Sequence, residues 1–187
     1  TKTFKLHPSI IYSVIREQAG DPVKAIAELV MNSIDAGAKN IKLTLSAEKF
    51  SIEDDGVGFP DIEYIEKFFG TFGTPHKEGD AIYGKFRIGR GQCFSISKTE
   101  WRSGLYGMIV DLGNHGKTDI HGYQLNTFSE EVPGCRIDGV FYNSLNIHEE
   151  IQNPKIFDQL LQENLEKHKT GADFDFEVFE ETDFFSR

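Results

Sequence analysis

One amphipathic helix, predicted from Asp21 to about Gly37, constrains the fold more than any other feature of the sequence. Asp21 supplies an N-cap, and Pro22 occupies the first helical position, where its missing N–H removes no hydrogen bond. One side of this helix carries Ile26, Leu29, Val30 and Ser33. Because an apolar helical stripe is stable only against another layer, the helix is expected to cover a second layer of the same domain.

A β-hairpin is predicted immediately after this helix. Residues 40–47 alternate apolar Ile41, Leu43 and Leu45 with polar neighbours, the two-residue period of a half-buried strand. A tight turn at Glu48 and Lys49 leads into a second strand over residues 50–53. Further strands are predicted at about 105–112, 120–128, 135–142 and 173–180, and further helices at about 9–18, 61–69, 92–98 and 154–168.

Composition excludes several classes of protein. The 187 residues suit one domain, and 39% hydrophobic with 27% charged residues is typical of a globular protein. No apolar run approaches the roughly 20 residues of a membrane helix, no secretory signal is present, and two cysteines are too few for a disulfide framework. The net charge of −10 argues against direct nucleic-acid binding by this domain. We expect a cytoplasmic protein with no membrane partner, or a nuclear one in a eukaryote.

Three polar groups follow one another along the chain. The first is a stripe on the predicted helix, where Glu28, Asn32 and Asp35 fall within an arc of about 60° opposite the apolar side. By themselves, three such residues are typical of a solvated helix face.

The second group follows the predicted hairpin directly. Asp54, Asp55, Gly56, Val57 and Gly58 place a carboxylate at a strand end, and the two glycines allow a sharp turn and close approach of the backbone to a flat ligand. By itself, this segment is typical of an ordinary acidic turn.

The third group is a glycine-rich segment over residues 70–91 that carries Lys77, Lys85, Arg87 and Arg90 in an otherwise acidic protein. It ends in Gly89-Arg90-Gly91-Gln92, where the next helix is predicted to begin, and a helix N-terminus with free amides favours phosphate. A loop of about 20 residues is uncommon in a compact domain and is often functional. The alternative is an ordinary surface loop.

In this order, the three groups resemble the motifs of the Bergerat-fold (GHKL) ATPases. The segment from Glu28 to Ala38 is similar to the first motif of the MutL mismatch-repair proteins, and the segment 25–30 is similar to the MORC ATPases. The segments 89–97 and 134–143 resemble later MutL motifs, and 72–77 resembles a lid segment of both families. The resemblance implies an α+β fold, a two-layer α/β sandwich whose mixed, mainly antiparallel sheet is covered on one face by helices.

The resemblance also implies roles for individual residues. Asp54 would accept a hydrogen bond from the adenine amine, with Gly56, Gly58 and Ala36 beside the base. Asn32 would bind Mg²⁺, Glu28 would orient or deprotonate the attacking water, and Asp35 would support the site. The phosphates would contact residues of the glycine-rich segment, namely Thr74, Lys77, Gly89, Arg90, Gly91 and Gln92.

A slow, Mg²⁺-dependent hydrolysis of ATP is therefore the predicted function. Glu28 favours hydrolysis, because histidine kinases usually lack a glutamate at that position. Two alternatives remain: a nucleotide-gated interaction module without catalysis, and a histidine-kinase-like phosphotransferase. One departure from the family pattern is Cys135, where a threonine is usual.

The resemblance further implies how the domain works within a longer protein. Residues 1–187 are expected to form a single ATP-binding domain at the N-terminal part of that protein, with an N-terminal arm at 1–20 and an ATP lid at 70–91. The arm, with Ile10, Ile11 and Tyr12, is expected to support ATP-dependent homodimerisation. A following domain is expected to supply a lysine to the phosphates, so the isolated chain should turn over weakly.

Overall fold

A five-stranded mixed sheet forms one layer of the computed structural model, which describes residues 2–5, 7, 10–17, 21–72, 89–113, 122–145 and 171–178. The helices are α1 (Ile10–Glu17), α2 (Pro22–Asp35), α3 (Ile62–Tyr64), which continues into a π-helical turn (Ile65–Phe69), and α4 (Gly89–Ile96). The strands are β1 (Asn40–Leu45), β2 (Lys49–Asp54), β3 (Ser97–Val110), β4 (Gln124–Phe141) and β5 (Asp173–Val178). The predicted helix at 154–168 lies outside the described residues.

The sheet has the order β3-β4-β2-β1-β5. Strands β1 and β2 form the predicted antiparallel hairpin, and β4 pairs antiparallel with both β2 and β3. Only β5 runs parallel to its neighbour, β1, among the described strands. This arrangement confirms the predicted fold class, a mixed and mainly antiparallel sheet with helices.

Helix α2 begins and ends as its sequence predicts. The Asp21 carboxylate accepts a hydrogen bond from the Val23 N–H at 2.9 Å, which satisfies one of the free amides of the first turn. After Asp35 the chain leaves the helix through Gly37, whose φ of 76° is readily adopted only by glycine. The apolar face is buried, with Leu29 and Val30 fully inaccessible to solvent.

One core lies between α2 and the sheet. Alternate residues of the hairpin point into it, as the two-residue period requires: Ile41, Leu43, Leu45, Phe50 and Ile52 are each at most 2% exposed. The opposite face of the sheet is charged, and there Arg136 forms ion pairs with Glu53 at 3.2 Å and Asp138 at 2.8 Å. The helices therefore cover the apolar face alone in the part of the chain that the structure describes.

Three predicted boundaries differ from the structure. Helix α4 begins at Gly89, three residues before the predicted start, and β3 begins at Ser97 instead of about 105. The two strands predicted at 120–128 and 135–142 are a single long strand, β4. The irregular pairing of β3 with β4 accommodates Pro133 and Gly134 within this strand.

Candidate functional site

A cavity of about 210 Å³ lies between α2, the end of β2 and the π-helical turn. A single water needs only about 10–15 Å³ of such space, so the cavity is large enough for an organic group. Seven of the residues predicted for the site line it: Glu28, Asn32, Asp35, Ala36, Asp54, Gly58 and Arg90. We refer to it below as the candidate pocket.

Helix α2 contributes the first polar wall of the candidate pocket. Glu28, Asn32 and Asp35 occur at intervals of four and three residues, so they project from successive turns on the same side. Burial raises the pKa of the Glu28 carboxyl above its usual value, and the charge of Lys24 opposes that shift. A half-buried carboxylate with a raised pKa is typical of a proton acceptor.

The end of β2 contributes Asp54 as the second polar wall. Its Oδ2 accepts a hydrogen bond from Ser33 Oγ at 2.6 Å, and its Oδ1 accepts one from the Gly56 N–H at 2.9 Å. Burial is the largest influence on the Asp54 carboxyl and raises its pKa, although hydrogen bonds from Ser33, Gly56 and Cys135 oppose the shift. The carboxylate is therefore fixed in orientation before any ligand binds.

The Asp55 carboxylate bonds to the backbone of another strand, whereas that of the adjacent Asp54 lines the candidate pocket. The Asp55 carboxylate accepts hydrogen bonds from the backbone N–H groups of Lys39 and Asn40 at 2.7 and 2.9 Å, and from the Asn40 side chain at 2.7 Å. These bonds lower the pKa of Asp55 to about 2. Asp55 thus joins the turn after β2 to the start of β1.

The two glycines of the turn after β2 have no room for a side chain. A Cβ on Gly56 would lie 2.9 Å from the Cβ and the carbonyl oxygen of Ala36. A Cβ on Gly58 would overlap Ser103 Oγ and the Gly134 carbonyl oxygen, and its φ of 61° is itself unfavourable for other residues. The turn also donates a hydrogen bond from the Val57 N–H to the Ala36 carbonyl at 3.0 Å. The turn is therefore pressed against the end of α2.

The start of α4 brings the third predicted group only partly to the candidate pocket. Arg90 lines it, and Gly89, Gly91 and Gln92 lie in the same first turn of the helix. The Arg90 guanidinium donates hydrogen bonds to the carbonyls of Phe69 at 3.1 Å and Thr71 at 2.5 Å. Arg90 is 8% exposed, and its guanidinium carbon lies 4.4 Å from the centroid of the Phe72 ring. The predicted phosphate contacts Thr74 and Lys77 lie outside the described residues.

Sequence reasoning missed the aromatic side of the candidate pocket. It is formed by Phe59, Tyr64, Phe68 and Trp101. It also missed Ser33, which was placed with the apolar face of α2 and is 3% exposed. A serine within an otherwise apolar helical stripe was the available signal, because a buried hydroxyl requires a hydrogen-bond partner.

The fold resembles those of solved structures. The N-terminal domain of a DNA repair protein aligns with a TM-score of 0.53 and 14% identity, over 95% of this chain and 55% of that chain. The Aquifex aeolicus MutL ATPase domain complexed with ADP aligns with a TM-score of 0.49 and 18% identity, over 84% of this chain and 60% of that chain. This chain thus spans between 55% and 60% of the length of these two structures. The first likeness shows the two-layer fold.

The part of the chain that contributes most of the candidate pocket is similar to a known family. Residues 21–109, a little under half of the chain, match the family described as "Histidine kinase-, DNA gyrase B-, and HSP90-like ATPase". The match includes α2, the hairpin, the turn after β2 and the start of α4, and it confirms the predicted resemblance to the GHKL ATPases. No curated protein matches the chain significantly. None of the described helices is long and apolar enough to span a membrane.

Proposed function

We propose that this chain is a domain that binds ATP with Mg²⁺ and hydrolyses it slowly. The observation that carries the proposal is the convergence of Glu28, Asn32 and Asp54 on one cavity, within a segment that matches a family of ATPases. The aligned MutL ATPase domain is complexed with ADP, which agrees with an adenine nucleotide as the ligand.

The orientation of Asp54 supports binding of an adenine base. Its carboxylate already accepts hydrogen bonds from Ser33, Gly56 and Cys135, and because the two oxygens together offer about four lone-pair sites, one remains available to a ligand. An ionised carboxylate bonds strongly to an amine donor and repels the carbonyl that guanine carries in the same position. Asp54 is therefore expected to select adenine over guanine.

The polar wall of α2 supports chemistry at the phosphate end of the nucleotide. Asn32 carries an amide oxygen, a ligand type that Mg²⁺ accepts, and the ion usually completes its six oxygens with phosphates and water. Mg²⁺ would neutralise charge on the phosphates. Glu28 lies one helical turn before Asn32 in the same wall and is expected to orient the attacking water or accept its proton. Asp35, one turn after Asn32, is proposed to support the site.

The phosphate-binding residues of the glycine-rich segment remain part of the proposal. Gly89, Gly91 and Gln92 are proposed to donate backbone N–H groups at the start of α4, where the helix dipole favours anions. Thr74 and Lys77 keep their predicted roles, as does the ATP lid at 70–91. Closure of the lid, homodimerisation through residues 1–20 and docking of a following domain with its lysine are likewise proposed.

Replacement of Glu28 tests hydrolysis separately from binding. Glu28→Gln keeps the size of the side chain and removes the proton acceptor, so turnover is expected to fall by about 10²–10⁴-fold while ATP affinity changes little. Turnover is measured as phosphate release in the chain joined to its natural neighbouring domain, with Glu100→Gln, an exposed change on β3, as the matched control.

Binding itself is followed through Trp101, the single tryptophan of the chain, which lines the candidate pocket. Addition of Mg-ATP is expected to change its fluorescence, and calorimetry should give the same dissociation constant. ATP binding without turnover above background in the wild type would favour the nucleotide-gated interaction module. A labelled protein product from labelled ATP would instead favour phosphotransfer.

A further inference from the structure

The lining of the candidate pocket contains two chemically different sets of residues. One set comprises the carboxylates and the amide of α2 and β2, together with the small residues Ala36 and Gly58. The other set is aromatic and comprises Phe59, Tyr64, Phe68 and Trp101. The proposed hydrogen bond to Asp54 would satisfy an edge of a base and would leave both of its faces to be covered. A purine has two apolar faces, so the aromatic residues are of the required kind.

The π-helical turn positions two of these rings. The Asp61 carboxylate accepts a hydrogen bond from the Tyr64 N–H at 2.7 Å, which caps the short helix that leads into the turn. The Gly70 N–H then donates to the Ile65 carbonyl at 2.8 Å, five residues back along the chain. Isolated π turns within helices are frequent at functional sites.

This turn sends neighbouring residues in opposite directions. Ile65 and Phe69 are at most 2% exposed and belong to the hydrophobic core. Tyr64 and Phe68 are only partly buried and line the candidate pocket, with their ring centroids 4.3 Å apart and their planes tilted by 41°. Phe59 supports Tyr64 from the side, with ring centroids 6.0 Å apart in an edge-on arrangement.

We propose that Tyr64 and Phe68 form a stacking wall that contacts one face of the adenine base: one ring of this closely packed pair stacks on the base, and the other ring packs behind it. The proposal rests on the proposed function, because it assigns a subsite to the base of the nucleotide bound there. It predicts that affinity depends on the aromatic character of the wall and on the presence of a base. Stacking of a base on an aromatic side chain changes affinity by about 5- to 100-fold when the ring is removed.

Leucine replacements test the wall, because leucine keeps the apolar volume and removes the ring. Phe68→Leu and Tyr64→Leu are each expected to weaken Mg-ATP binding by about 5-fold or more, measured by calorimetry, whereas Phe68→Trp should retain it. Binding of Mg-tripolyphosphate, which has no base, should be the same in all variants. Phe4→Leu is the control, because Phe4 is fully exposed and does not line the pocket.

A second measurement uses the unchanged chain and so does not depend on the folding of a variant. Photolysis with 8-azido-ATP, followed by mass spectrometry, is expected to label the segment 59–68. Wild-type ATP binding with labelling elsewhere, or with affinities of both leucine variants within twofold, would overturn the stacking wall. Absence of ATP binding and of labelling in the wild type would overturn the proposed function itself. Loss of ATP and tripolyphosphate binding together in the leucine variants would show a general structural effect and contradict the wall.

Discussion

The turn after β2 and the start of α4 lie on two sides of the same pocket, but they are fixed in different ways. The turn, residues 54–59, is held by many short contacts: hydrogen bonds to Asp54, the close approach of Ala36, and glycines with no space for a Cβ. In the part of the chain that the structure describes, the hydrogen bonds between the start of α4, residues 89–92, and residues 69–72 come from one long side chain, that of Arg90.

This difference has a consequence for substitutions on each side. Where the backbone itself is fixed by its neighbours, a change of chemistry at a side chain that lines the pocket leaves the geometry in place and alters mainly ligand binding. Where a single long side chain connects two segments, its replacement alters position and chemistry together. The predictions below test this distinction, from the largest expected effect to the smallest.

Gly58→Ala should cause the largest loss of stability. Its Cβ would overlap Ser103 and Gly134, and the positive φ would add strain, so we expect a loss of about 2–5 kcal/mol in the free energy of unfolding. Gly37→Ala is the matched control, because Gly37 also has a positive φ but has nothing within 4 Å of an added Cβ. Denaturant unfolding measures both. Equal losses would show that the turn after β2 is not tightly enclosed.

Arg90→Met should lower the free energy of unfolding by about 2–4 kcal/mol. Methionine keeps the apolar stem but leaves the carbonyls of Phe69 and Thr71 without the guanidinium. One bond to a charged donor contributes about 1.5–3 kcal/mol, and the second loss is smaller because water can reach the exposed Thr71. Arg90→Lys should recover part of the loss, since an ammonium group lacks the planar fork. Unchanged unfolding combined with lost ATP affinity would instead support Arg90 as a phosphate contact.

Asp54→Asn should weaken adenine-nucleotide binding without a comparable effect on the fold. Loss of one charge-assisted hydrogen bond corresponds to about 1.5–3 kcal/mol, or roughly 10- to 150-fold in the dissociation constant. Calorimetry with ATP measures the change, and Glu53→Gln, the preceding residue on the opposite face of β2, is the control. Retention of wild-type affinity would mean that another group recognises the base.

Asp55→Asn should give the smallest effect, and one that depends on pH. The pKa of Asp55 is lowered to about 2 in the folded chain, below its usual value near 3.8. The ionised carboxylate therefore stabilises the fold fully at pH values above about 3.8. That stabilisation is lost as pH falls through about 2. The difference in Tm between wild type and Asp55→Asn should therefore be constant from pH 7 to about 5 and shrink below pH 4. A difference that stays constant down to pH 3 would contradict this role.

Much of the fold could be predicted because its signals are local. The cap at Asp21, the period of the hairpin and the change of chain direction at Gly37 each depend on neighbours within a few residues. The predicted ends of strands were wrong where pairing with a distant part of the chain determines them. Strand β3 extends back to Ser97 because β4 provides hydrogen-bond partners as far as Phe141. For the same reason, the two strands predicted at 120–128 and 135–142 are one continuous strand, β4.

The candidate site likewise has features that the local sequence determines and features that depend on tertiary packing. The sequence by itself determined that Glu28, Asn32 and Asp35 share one side of α2, since helical geometry fixes that relation, and that a carboxylate ends β2. Only the tertiary structure decided that Ser33 orients Asp54, that Arg90 joins the two ends of the glycine-rich segment, and that Tyr64 and Phe68 face the pocket. These contacts join residues from separate elements, and their formation depends on how the layers pack, which no local pattern in the chain encodes.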